Sequence, residues 1–85
     1  MKEDLLTIFN NYGKSHQISK LLEEVGELIE AIINDDKENI TKETGDVFVV
    51  LNQFIHHYEI EEIDILKVMK YKIDRQIERM SKEDQ

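Results

Sequence analysis

Ile18-Ser19-Lys20-Leu21-Leu22-Glu23-Glu24-Val25-Gly26-Glu27-Leu28-Ile29-Glu30-Ala31-Ile32 is the stretch whose reading decides the fold. At about 100° per residue, Ile18, Leu21, Leu22, Val25, Leu28, Ile29 and Ile32 fall within an arc of roughly 120°, the stripe of an amphipathic helix. The spacing predicts a helix from about Ser15 to Ile33, closed by the polar run Asn34-Asp35-Asp36.

The same period continues on either side. A first helix around Glu3 to Tyr12 carries Leu5, Ile8, Phe9 and Tyr12 at helical spacing and stops at Gly13. Asp36 is placed to N-cap a third helix from about Lys37 to Tyr58. The Val47 to Leu51 run of that helix is apolar on nearly all sides, as expected of a central helix or an interface. A last helix, about Glu61 to Met80, aligns Ile65, Leu66, Met69, Ile73, Ile77 and Met80, and Ser81 to Gln85 reads as a polar tail. With no Pro and only three Gly in 85 residues, few breakers interrupt these segments. The expectation is an all-α, four-helix bundle-like domain over residues 1–85 with one shared core.

A lone domain of this size buries only about 60% of its unfolded surface, so assembly into a homo-oligomer is expected. There is no Cys for disulfides or thiolate sites. The start Met1-Lys2-Glu3-Asp4 and the broken apolar tract before Gly13 make neither a signal peptide nor a span, so a cytoplasmic location and no membrane partner are expected. A net charge of −8 argues against a nucleic-acid surface, since duplex binding rests on basic residues. It leaves room for a small phosphorylated ligand whose charge a cation neutralises.

Two acidic pairs at i, i+3 stand on consecutive helices: Glu24 with Glu27, and Glu43 with Asp46. One helical turn presents both members of a pair, so two facing helices bring four carboxylates together, the oxygen ligands that hard cations such as Mg²⁺ or Mn²⁺ prefer. Taken alone, Glu24 and Glu27 also fit a solvated acidic face, with Lys20 pairing Glu24 at i, i+4. Glu43 is different, because it projects with Val47, Val50 and Phe54, and Asp46 lies only about 60° away. Carboxylates on a packed face cost several kcal/mol unless cations compensate them, and metal binding is the economical explanation.

Lys72, Arg75 and Arg79 form a cationic stripe on the last helix, read either as a solvated face or as a phosphate contact. Gln17 and Lys20, on the Glu24 side of their helix, are candidate substrate contacts. His56 and His57 are adjacent and diverge by about 100°, which excludes an i, i+4 metal pair. Gly26 and Gly45 each sit between the acids of a pair, where close helix approach is one reason for them. Met69 and Met80 read as core filling.

At these residues the chain resembles the MazG-like nucleotide pyrophosphohydrolases of the all-α NTP pyrophosphatase superfamily, marked by EExxE followed by ExxD. Glu23-Glu24-Val25-Gly26-Glu27 supplies the first motif and Glu43-Thr44-Gly45-Asp46 the second, and the likeness runs from about Gln17 to Arg79. The resemblance implies Mg²⁺ held by Glu24, Glu27, Glu43 and Asp46, with Glu23 orienting water. It implies hydrolysis of a nucleoside triphosphate between the α and β phosphates by a dimer or a dimer of dimers; beside such a site, Lys72 and Arg75 are expected to stabilise the departing pyrophosphate. Two rivals accompany this expectation. One is the related phosphoribosyl-ATP pyrophosphohydrolases; the other is a non-catalytic helical module whose acidic face binds a basic partner.

Overall fold

In the computed structural model, which describes residues 1–83, four helices follow in order and no strand occurs among those residues. They are α1 (Lys2–Tyr12), α2 (Lys14–Ile33), α3 (Lys37–His57) and α4 (Glu62–Glu83). Gly13 is the whole of the α1–α2 junction. Its N–H donates to the Phe9 carbonyl at 2.8 Å and its carbonyl accepts from Gln17 N–H at 3.0 Å, so one residue closes one helix and opens the next. It does so at φ +88°, a conformation that favours glycine. Asp36 caps α3 as the sequence predicts: its Oδ1 accepts from the Asn39 backbone N–H at 3.2 Å and its Oδ2 from the Asn39 side chain at 2.7 Å.

Helices α1, α2 and α3 pack together, with α2 and α3 the main pair. Their interior is small: Leu5, Phe9, Ala31, Val47 and Val50 are the buried apolar residues. Phe9 anchors α1 by an edge-to-face contact with Phe54 (centroids 5.2 Å apart) and a stack on His57 (4.3 Å).

The expected single core of four helices does not form. Helix α4 makes no close approach to α1, α2 or α3, and none of its residues is buried. The radius of gyration is 16.2 Å, whereas a compact chain of this length has about 12 Å. The apolar stripe of α4 is nonetheless intact, with Leu66, Met69, Ile73, Ile77 and Met80 all exposed. Periodicity specified that the stripe needs an apolar partner; it did not specify that the partner lies in the same chain. The tail expected from Ser81 is also corrected, because α4 continues to Glu83 with Lys82 paired to Glu78 at 3.2 Å; Asp84 and Gln85 lie outside the described residues.

The face that α2 turns inward is a second correction. Its buried residues are Gln17, Glu24 and Ala31, a strict seven-residue repeat, while Ile18, Leu22, Ile29 and Ile32 of the apolar arc are exposed. On α3, Val47 and Val50 point inward and Phe48, Val49 and Leu51 outward. The most apolar faces of the chain are therefore open, and its polar edge is enclosed.

Candidate active site

Enclosing that edge buries two glutamates. Glu24 on α2 and Glu43 on α3 are 5% and 9% exposed, and together with the exposed Glu27 they bring one carboxylate oxygen each within 4.8 Å of one another. The two buried groups are satisfied in the same half-complete way. Lys20 Nζ lies 3.0 Å from Glu24 Oε1, and Lys42 Nζ lies 3.8 Å from Glu43 Oε1. The Oε2 atoms of both are buried with no hydrogen-bond partner. Lys42 reaches the neighbouring Glu43 by the flexibility of its stem.

An orphaned buried carboxylate oxygen costs about 1–3 kcal/mol, more when ionised, so two of them on facing helices are not a structural convenience. The Glu24, Glu43 and Glu27 carboxylates form an all-oxygen donor set of the kind hard divalent cations take. The residues fit such a cation. The Glu27 carboxyl shows the same tension: its pKa is raised above the ordinary 4.5, first by hydrogen bonding to Glu43, then by desolvation, then by the charges of Glu24, Glu43 and Glu23.

Asp46, one turn beyond Glu43, is half-buried and stands outside this group of three. It shares with Glu24 the wall of a cleft of about 430 Å³ between α1, α2 and α3. On the far side of the carboxylates, a second cavity of about 320 Å³ is lined by Glu27, Glu43, Lys42, Asn34, Asp36 and Asn39 among others. The three acids thus stand between two openings, one with apolar walls and one lined mainly by polar and charged side chains.

A family model described as the MazG nucleotide pyrophosphohydrolase domain matches residues 13–82. The chain belongs to that family. It is accordingly a hydrolase acting on phosphoric anhydride bonds of nucleotides, which sets aside the non-catalytic helical module. MazG domains generally use a divalent metal, in agreement with the buried acidic cluster. No curated protein and no solved structure matches the chain. No helix among the described residues is long and apolar enough to cross a membrane.

The other residues singled out for this MazG domain fall in three places. Glu23 is exposed and sits 3.6 Å from Lys20 Nζ. Lys20 is held by Glu24 and Glu23, whose carboxylates raise its pKa, the hydrogen bond to Glu24 foremost. Gln17 is buried and donates to Gln53 Oε1 at 2.8 Å. Lys72 and Arg75 stand exposed on α4, and within one chain nothing brings them to the carboxylates.

Gln53, the most buried side chain at 1% exposure, escaped the sequence reading. The available signal was its place on the Glu43, Val47, Val50 stripe, where a polar residue needs a partner. Close helix approach does not account for Gly26 and Gly45, since a Cβ added to either meets no atom within 4 Å.

Proposed function

We propose that the chain hydrolyses nucleoside triphosphates, ribo- or deoxyribo-, between the α and β phosphates, giving a nucleoside monophosphate and pyrophosphate. The observation that carries this reading is the pair of orphaned oxygens, Glu24 Oε2 and Glu43 Oε2, beside Glu27. Glu24, Glu27 and Glu43 would hold Mg²⁺, or Mn²⁺ in its place, with Asp46 as a fourth ligand from the cleft wall. Bound there, such an ion neutralises phosphate charge and lowers the pKa of a water at the phosphorus.

The protein's own residues do the rest. Glu23, at the exposed end of the EExxE motif, orients the attacking water or accepts its proton. Lys20 fixes the Glu24 carboxylate from one side and Lys42 fixes Glu43 from the other, so the ligand oxygens are held before the cation arrives. Gln17 and Lys20 face the substrate side of the site as its polar contacts.

Lys72 and Arg75 reach a phosphate only from a second copy. The open apolar faces of α2, α3 and α4 support a homo-oligomer, in which the α4 of one protomer lies across the partner's acidic site and brings its basic stripe to the departing pyrophosphate. The reading implies a cytoplasmic enzyme with nucleotide as its partner and no role in binding nucleic acid.

Separation of the products from a triphosphate panel, with Mg²⁺ and with chelator, tests this. Monophosphate and pyrophosphate in equal amounts, dependent on the metal, are expected. Diphosphate and orthophosphate, or metal-independent turnover, contradict it.

A further inference from the structure

Helices α2 and α3 run antiparallel, and their register decides which acids meet. Ten residues separate Gln17 from Glu27 on α2, and ten separate Glu43 from Gln53 on α3. One register therefore brings Glu27 to Glu43 inside the cluster and Gln17 to Gln53 about 15 Å away, at roughly 1.5 Å per residue. Glu24 and Asp46 fall at matching positions between these two pairs, and the cleft they share is lined by both glutamines.

The glutamine pair is the most enclosed contact between the two helices. Gln17 is 3% and Gln53 1% exposed, and their amides lie 2.8 Å apart. An amide both donates and accepts, so the pair is matched with the two groups turned either way. Both partners are anchored: Gln17 N–H donates to the Gly13 carbonyl at 3.0 Å in the first turn of α2, and Gln53 precedes Phe54, on which Phe9 of α1 packs.

The other contacts between α2 and α3 specify no register. Ala31, Val47 and Val50 are short apolar side chains, and apolar burial is non-directional. The clustered carboxylates repel one another without a cation. Besides the contact of Glu27 with Glu43, Gln17–Gln53 is the only side-chain hydrogen bond from α2 to α3 among the described residues, and no salt bridge joins these helices. A slide of one helical turn, about 5.4 Å, would part the two amides, leave both buried without each other and carry Glu27 past Glu43.

Resting on the reading of Glu24, Glu27 and Glu43 as a divalent-metal centre, we infer that Gln17 and Gln53 are its positioning pair: they set the register in which the three carboxylates meet. An apolar pair in their place gives a more stable helix pair that is less uniquely aligned. One buried polar position fixes the register of paired helices in this way and lowers their stability. The inward face of α2, with Gln17, Glu24 and Ala31 at seven-residue spacing, has that form.

The test compares Gln17→Leu, Gln53→Leu, the double variant and Leu5→Ala by thermal unfolding and by Mn²⁺ affinity, read from the electron-paramagnetic signal of the free ion. Each single glutamine variant melts below the wild type, because it buries the remaining amide alone. The double variant melts at or above the wild type, yet binds Mn²⁺ at least about fivefold more weakly. Leu5→Ala, which removes a core side chain of α1, melts lower and keeps its Mn²⁺ affinity within about twofold. Wild-type affinity in the double variant, a double variant that melts as low as the singles, or an equal loss of affinity in Leu5→Ala overturns the inference. Saturable binding by the wild type with any of these results removes the positioning role alone, whereas no saturable binding by the wild type removes the metal centre and the positioning role with it.

Discussion

Glu24 and Glu43 face one another from α2 and α3 with matching environments: one oxygen of each lies against a lysine, and the other is buried and unpartnered. In the metal-free protein this is an unpaid desolvation. Removing charge from one of them relieves it, so Glu43→Gln is expected to melt at or above the wild-type temperature without metal and to lose most of the stabilisation that Mg²⁺ gives. Thermal unfolding with and without Mg²⁺ reads both effects. A variant stabilised by Mg²⁺ as much as the wild type would remove Glu43 from the site.

Glu27 carries the pH dependence. Its folded pKa is raised above 4.5, so the metal-free fold binds the proton more tightly than the unfolded chain does. The stability contributed by this group is complete below 4.5 and is lost as pH rises through the folded value. Denaturant unfolding of wild type and Glu27→Gln between pH 4 and 7 is expected to show the wild type losing stability relative to the variant as pH rises. Mg²⁺ affinity should rise over the same interval, because the cation displaces the proton. A pH-independent difference between the two proteins would contradict the assignment.

The open stripe of α4 predicts self-association. Ile73→Asp is expected to shift light-scattering mass toward the monomer, since a charge is placed where apolar side chains pack. If Arg75 acts on a partner's site, Glu43→Gln and Arg75→Ala proteins, each inactive alone, regain activity when unfolded together and reassembled. Mixed protomers then contain one complete site. No recovery would mean that α4 serves its own chain or none.

Gly26 and Gly45 sit inside helices with open space at their Cβ positions. Gly26→Ala and Gly45→Ala are each expected to stabilise the fold by about 0.5–1 kcal/mol, the helix-propensity difference. Chemical denaturation decides the sign. Destabilisation would reveal a neighbour close to these positions in the assembled protein.

The local signals were legible in the sequence. Gly13 ends one helix, Asp36 caps another, and the acids that gather, Glu24, Glu27 and Glu43, were marked by their i, i+3 spacing and by the Val47 and Val50 side of α3. What was not legible depends on which surface closes on which. A helical wheel centred on the apolar arc places Glu24 at the rim, whereas packing against α3 buries Glu24 together with Gln17 and Ala31. The same wheel gives α4 a partner without naming its chain. Gln53 was missed because its bond to Gln17 spans 36 residues, beyond the reach of any local pattern.

Mn²⁺ binding followed by the electron-paramagnetic signal of the free ion bears most directly on the central claim that Glu24, Glu27 and Glu43 form a divalent-metal centre. Saturable binding by the wild-type protein, competed by Mg²⁺ and weakened at least about tenfold by Glu24→Gln or Glu43→Gln, is the predicted result. No saturable binding, or equal affinity in those variants, would contradict it.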